Sequence, residues 1–198
     1  MERIPDFDNL RCVLRGERPP RPTLFEFFMN VPLYTRLTGQ APVDDSPLEY
    51  YRLAAAAYAK VGYDFVNVWA PFSFPKADQD SKDTISLNGG AVIASREDFE
   101  RYPWPDIASV DMSLLERLSL PGNMKIMLCG PGGLLENVTG LLGYDNLCLM
   151  LYDDPDLVQD VFDAVGTRLL QMYERGMEYD SVGLLMSNDD WGFNTQTM

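Results

Sequence analysis

The chain has 198 residues, 46% of which are hydrophobic, and carries a formal net charge of −14 at pH 7. This length predicts one domain or slightly more, and the composition suffices for a substantial buried core. The negative charge argues against a nucleic-acid backbone or an anionic membrane as the main partner, because both would repel the chain.

The cysteine and histidine content limits both the chemistry and the cellular compartment. Three widely spaced cysteines give neither a disulfide framework nor a metal knuckle, and histidine is absent. No metal ligand set is therefore predicted in this chain.

No segment reaches the roughly 18–20 apolar residues that span a bilayer, and the N-terminus lacks the apolar core of a signal peptide. We expect a cytoplasmic protein with no membrane partner.

The first half of the chain predicts a helix, a strand, a second helix and a second strand, at residues 7–15, 23–28, 46 to about 62, and 64–69. The first strand is a compact apolar run with one carboxylate. The second helix begins with a serine N-cap, Ser46, followed by Pro47 and then Glu49. A long polar excursion follows at residues 72–95.

The second half continues the alternation of helices and strands, with elements predicted from residue 95 and at 107–118, 125–129, 134–142, 144–151, 154–176 and 182–186. The strand at 125–129 leads into a glycine-rich turn at 130–133. The strand at 182–186 leads into an acidic turn at 187–192. In both places, chemistry-bearing residues directly follow a predicted strand.

This alternation indicates a parallel sheet, and strands that are apolar at nearly every position indicate a sheet covered on both faces. On the pattern alone, an open doubly wound sheet fits as well as a barrel. No glycine-rich turn of the dinucleotide-binding kind follows the first strand, which weakens the doubly wound alternative. No composition shift marks a second domain, so residues 1–198 are predicted to belong to one domain.

Three segments of the chain resemble the uroporphyrinogen-decarboxylase superfamily. They are RPTLFEFF at residues 21–28, LCGPGG at 128–133 followed by a helix and DDPDLV at 153–158, and residues 182–193 with NDDWGF at their end. The superfamily contains the haem-pathway decarboxylase, corrinoid-linked methyltransferases and members of unassigned activity. The last segment is closer to the methyltransferase-like branch.

The resemblance implies a (β/α)8 barrel, of which this chain would supply the first four β/α units as the N-terminal half of a single barrel domain. A half barrel leaves unpaired strand edges in water. We therefore expect either a fragment of a longer protein, which we favour, or a half barrel completed by self-association or by another chain.

The resemblance implies an enzyme when the protein is intact. The decarboxylase's arginine motif after the first strand is replaced here by residues 29–34, which contain no arginine, and its aspartate after the second strand is replaced by Ala70 and Pro71. These departures favour methyl transfer to or from a corrinoid or a thiol over decarboxylation. In that case, zinc would be held by residues beyond Met198. A decarboxylase of a tetrapyrrole or another carboxylated substrate, and an inactive assembly module, remain as alternatives.

In a barrel, the chemistry lies at the carboxyl ends of the strands. This rule selects, in chain order, Glu26, Asn30, Asn67, Trp69, Phe72, Gly132, Glu136, Asn137, Asn188, Asp189, Asp190 and Trp191. The three carboxylates Asp189, Asp190 and Glu26 are the predicted catalytic residues, and the others are predicted to bind a small-molecule or corrinoid-linked substrate.

Each of these predictions has a structural alternative. Adjacent carboxylates at Asp189 and Asp190 suit acid–base work, but one of them can instead cap a helix while the other is solvated. A buried Glu26 can face the pocket or pair with Arg11 or Arg36. Likewise, the aromatic residues can form a pocket wall or simple packing, and the glycine-rich turn can bind an anion or merely turn tightly.

Overall fold

The computed structural model describes residues 3–27, 29–76, 91–193 and 196–197. The helices are α1 (Asp8–Leu14), α2 (Val31–Thr38), α3 (Pro47–Val61), α4 (Arg96–Arg101), α5 (Leu114–Arg117), α6 (Leu134–Leu142), α7 (Tyr144–Asp153) and α8 (Pro155–Gly176). The strands are β1 (Phe65–Trp69), β2 (Lys125–Cys129), β3 (Val182–Met186), β4 (Gly192–Phe193) and β5 (Gln196–Thr197). In the part of the chain covered by these ranges, no helix is both long enough and apolar enough to cross a membrane.

The chain divides into two compact units. The first comprises Met1–Ala70, Asp111–Cys129 and Arg175–Met186, and the second comprises Pro71–Val110, Gly130–Glu174 and Ser187–Met198. The first unit contains the three-stranded sheet, and the second is mainly helical.

The sheet of the first unit is open and parallel, with the strand order β1-β2-β3. Its register shifts between Ile126 and Met127, opposite the exposed Gly183 of β3. A Cβ atom at Gly183 would lie 2.7 Å from the ring of Phe7, so the close approach of that ring requires glycine there. β1 and β2 are almost completely buried, whereas β3 is only half-buried.

The predicted eight-stranded barrel is wrong. Among the described residues there is one open sheet of three parallel strands, and it does not close. Residues 23–27 lie in irregular structure rather than in the predicted first strand, and Phe28 lies outside the described residues. The side chain of Asn67 binds the carbonyl groups of Glu26 and Phe27, so this segment meets β1 through a side chain instead of a backbone ladder.

Local capping explains where several helices begin and end. The Ser46 side chain accepts a hydrogen bond from Glu49 N at 3.2 Å and begins α3, which ends at Gly62 in the left-handed conformation. Asn30 begins α2 in the same way, a helix that the sequence prediction missed. The predicted helix at 107–118 is instead a short 3₁₀ turn and α5, separated by extended backbone.

The second unit has its own core, built from α6, α7, α8 and the residues around α4. Val138, Leu141, Val161 and Val165 are completely buried in it. The backbone of Ile93 joins this core by donating to Leu141 O at 3.1 Å. Most of the long excursion predicted at residues 72–95 lies outside the described residues, which omit 77–90.

Candidate functional site

In the first unit, the carboxyl ends of the three parallel strands meet at one edge of the sheet. Trp69 is in register with Cys129, and Cys129 is in register with Met186. In open parallel sheets, this edge is the usual position of a ligand site. Asn67 lies two residues before Trp69 on β1 and therefore faces the same side of the sheet.

Asn67, in the middle of β1, is the most informative residue on this face of the sheet. Its side chain is 6% exposed, and its Nδ2 donates to Glu26 O at 2.9 Å and to Phe27 O. Its Oδ1 is buried and has no hydrogen-bond partner among the described residues. A buried acceptor without a partner costs about 1–3 kcal/mol. This oxygen therefore favours an incoming hydrogen-bond donor.

Two further groups at this edge are neutral. The Tyr51 hydroxyl accepts a hydrogen bond from Trp69 N at 3.0 Å, and burial raises the pKa of Tyr51. Burial also raises the pKa of the Cys129 thiol to about 11. Both groups are thus protonated near pH 7, and Cys129 is a poor nucleophile in this state.

Sequence reasoning missed Tyr51 and Cys129. Cys129 is the last residue of a predicted strand, a position that could have drawn attention to it. Tyr51 lies in α3, 18 residues before the backbone group that it binds, and no local pattern indicates this contact.

The other predicted residues of the first unit have different surroundings. Glu26 is exposed, and its carboxylate accepts a hydrogen bond from Phe27 N at 2.9 Å. Asn30 accepts from Leu33 N at 3.0 Å as the α2 cap. Arg11, a possible partner of Glu26 on sequence grounds, instead pairs with Asp8 at 3.0 Å.

In the second unit, Asp189 binds the N-terminus of α6. Its Oδ2 accepts a hydrogen bond from Leu135 N at 2.7 Å, and its Oδ1 accepts one from Glu136 N at 2.9 Å. These N–H groups and the positive end of the helix dipole are what an external anion would use. The carboxylate of Asp189 already occupies that position, so the glycine-rich turn is not an open anion site.

The turn itself is held by neighbouring side chains. Glu136 Oε2 accepts from Gly133 N at 3.2 Å, and Asn137 Nδ2 donates to Gly133 O at 2.7 Å. Gly132 has a φ of 109°, which favours glycine. Glu136 and Asn137 therefore stabilise the conformation of the glycine-rich turn.

The remaining predicted residues of the second unit are Phe72, Asn188, Asp190 and Trp191, and the predicted aromatic wall of Trp69, Phe72 and Trp191 stays a prediction. Asp190 is exposed and accepts from Gly192 N at 3.3 Å, and Trp191 is exposed. Phe72 packs against the core, with its ring centroid 5.7 Å from that of Phe74. The Oδ1 of Asn188 is buried without a partner among the described residues.

The structure therefore brings together Asn67 and Trp69 in the first unit, and Gly132, Glu136, Asn137 and Asp189 in the second. Glu26 belongs to the first unit, whereas Asp189 and Asp190 belong to the second. Their predicted grouping in one catalytic site stays a prediction.

Comparison of the chain with protein-family models, with curated proteins and with solved structures gave no match. The resemblance to the uroporphyrinogen-decarboxylase superfamily therefore stays a prediction.

Proposed function

We propose that the carboxyl ends of β1, β2 and β3 bind a small, largely apolar molecule that donates a hydrogen bond to Asn67. The buried Oδ1 of Asn67 carries this proposal, since it lacks a donor among the described residues. Asn67 lies in the middle of β1, on the same face as Trp69 at the carboxyl end of the strand, and ligands of open α/β sheets bind outside those ends.

The chemistry of this edge favours a neutral ligand. Trp69 and Met186 supply apolar surface, and the Tyr51 hydroxyl and the Cys129 thiol are uncharged near pH 7. A heavily carboxylated substrate would need cations, yet Arg21 is already paired with Asp64, which directly precedes β1 at the other end of that strand. The geometry thus disfavours the decarboxylase alternative.

We further propose that this site serves a methyltransferase-type enzyme, as the sequence resemblance implies, in the cytoplasm. The raised pKa of Cys129 makes it a poor methyl acceptor, so an acceptor thiol would come from the substrate. A corrinoid is larger than the molecule proposed above and would reach Asn67 Oδ1 through one peripheral amide N–H, and it carries a methyl group when bound.

Zinc is the other group that the resemblance implies. The chain has no histidine, and no cluster of three ligating side chains lies within residues 3–27, 29–76 and 91–193.

The test compares two nearly isosteric probes, indole with its N–H donor and benzofuran with an oxygen in that place. Ligand-detected NMR titrations measure the affinity of the protein for each probe. We expect indole to bind about tenfold more tightly, because one hydrogen bond to a buried acceptor is worth about 1–2 kcal/mol. Hydroxocobalamin, titrated by calorimetry, then tests whether the ligand is a corrinoid.

Two asparagine variants make the test specific. Asn67→Ala should remove the preference for indole. Asn9→Ala should keep it, because Asn9 is also a buried asparagine but binds Asp64 before β1 begins. Equal affinities for indole and benzofuran in the wild-type protein would mean that water satisfies Asn67 and would contradict the proposal.

A further inference from the structure

An open apolar groove of about 630 Å³ runs along one face of α8 in the second unit. Its apolar lining comprises Leu134, Leu151, Val158, Phe162, Gly166 and Leu170. The α8 members recur at intervals of four residues, which places them in one stripe on the helix surface. From Val158 to Leu170, this stripe is roughly 18 Å long at 1.5 Å per residue.

The walls of the groove expose large apolar side chains. Leu151 is 57% exposed and Leu170 is 63% exposed, and the adjoining α7 also exposes Leu149 and Tyr152. Single exposed leucines are common, but Leu151 and Leu170 line the same groove, and clustered apolar exposure of this kind is typical of a surface that binds a partner.

The charges around the groove are mainly negative. Residues 144–174 contain seven carboxylates and one basic residue, Arg168. Arg168 is directed toward the core, because it donates to Pro105 O at 3.0 Å and its guanidinium lies 4.7 Å from the centre of the Trp104 ring. Arg96 pairs with Asp160, but Asp156 and Asp163 have no ion pair among the described residues.

Asp163 is part of the groove lining and accepts a hydrogen bond from the neighbouring Gln159 at 2.9 Å. Each chain carries a net charge of −14, so a second copy in the groove would bring two strongly negative molecules into contact. Like charges in contact are destabilising, so charge complementarity selects a basic occupant over a second copy.

We propose that this groove binds a basic amphipathic helix of a partner protein. Its apolar side chains would lie between Leu151 and Leu170 and over Phe162, and a lysine or arginine side chain would face Asp163. A helix in an apolar groove is an established mode of peptide recognition, and a stripe of this length fits roughly three turns of the partner.

The experiment uses a fluorescein-labelled amphipathic helical peptide made of leucine and lysine only. Fluorescence anisotropy measures its affinity for the wild-type protein and two groove variants. We expect Leu170→Lys to weaken binding at least tenfold, through lost apolar contact and added repulsion, and Asp163→Asn to weaken it several-fold.

A matched variant and a matched peptide distinguish binding in this groove from nonspecific binding to the protein surface. Leu14→Lys in α1 changes a leucine of nearly equal exposure, 62%, and should leave binding unchanged. The same peptide with every lysine replaced by glutamate should bind at least tenfold more weakly. Equal weakening by Leu14→Lys, or equal binding of the glutamate peptide, would overturn the proposal.

Sedimentation velocity tests whether a second copy of this chain occupies the groove instead. A wild-type protein that dimerises at micromolar concentration, and becomes monomeric in the Leu170→Lys variant, would identify a second copy as the occupant and would also overturn the proposal. A monomeric wild-type protein that binds the lysine peptide is the expected result.

Discussion

Replacing Asp64 by alanine should destabilise the first unit strongly. Asp64 is buried directly before β1, and its Oδ1 accepts from Asp6 N at 2.8 Å, from Asn9 Nδ2 at 3.4 Å and from Arg21. One carboxylate thus fixes α1, the following irregular segment and the start of β1 to one another. Asp64→Ala removes all three contacts and leaves the Arg21 guanidinium mostly buried without its partner.

The magnitude follows from these contacts. Hydrogen bonds to a charged group contribute about 1.5–3 kcal/mol each, and breaking a buried ion pair costs about 3–5 kcal/mol. We expect Asp64→Ala to lower the free energy of unfolding by about 3–5 kcal/mol. This corresponds to a decrease in Tm on the order of 10 °C for a chain of this size.

Urea unfolding followed by circular dichroism measures this loss, and the chain offers a matched control. Asp8 and Arg11 form another aspartate–arginine pair, at 3.0 Å, but both side chains are more than half exposed. Asp8→Ala should therefore cost less than about 1 kcal/mol. A loss of under 1 kcal/mol in Asp64→Ala, equal to the control, would refute the reasoning.

Three further predictions concern a cap, a titration and a thiol. Asp189→Ala should lower the free energy of unfolding by about 1–2 kcal/mol in urea titrations, because two N–H groups of α6 lose their acceptor. Hydrogen bonds from Arg52 lower the pKa of Glu49 to about 2, below its usual 4.5. The stabilisation by Glu49 should therefore be complete above pH 4.5 and be lost as the pH falls toward 2, which thermal melts of wild type and Glu49→Gln can compare. Cys129 should resist alkylation by iodoacetamide at pH 8, because it is buried with a raised pKa, whereas the exposed Cys148 should react quickly, as peptide mass spectrometry can show.

Each of these predictions has a result that would contradict it. Asp190→Ala removes an exposed neighbouring carboxylate and should cost under about 0.5 kcal/mol, so an equal effect of the two aspartate variants would argue against the cap. A Glu49→Gln protein with the same acid dependence as wild type would argue against the Glu49 shift. Rapid alkylation of Cys129 in the folded protein would show that the end of β2 is open to solvent.

Three of the four predicted strands form, at or within one residue of the predicted positions. Residues 65–69, 125–129 and 182–186 are apolar runs that find parallel neighbours. Residues 23–27 have the same apolar character but lie in irregular structure, with Phe25 51% exposed. A strand forms only where its backbone hydrogen-bonds to a neighbouring strand. That pairing joins residues far apart in the sequence, so local composition does not predict it. The predicted first barrel strand is therefore absent at residues 23–27.

The helix α2 was missed although its signals are local. Asn30 as N-cap, Pro32 near the first turn and Gly39 at the end form a regular set of start and stop signals. The sequence prediction placed a strand at residues 23–28 and assigned no element between it and the helix that begins at Ser46. In this case the information was present in the sequence, in contrast to the long-range pairing of the strands.

The candidate site was predictable only in part. The strand-end rule selected Asn67 and Trp69, which lie on one face of β1, and their role as binding residues stays a prediction. The contact of Tyr51 with Trp69 and the contact of Asp189 with α6 join residues that are far apart in the sequence. Such contacts follow from packing, and a single sequence does not reveal them.

The central claim is that Asn67 Oδ1 accepts a hydrogen bond from a bound ligand. A crystal structure of the protein soaked with indole tests this most directly. We expect indole at the carboxyl ends of the strands, with its nitrogen on the order of 2.9 Å from Asn67 Oδ1. A water molecule bound to that oxygen, with indole absent or bound elsewhere, would contradict it.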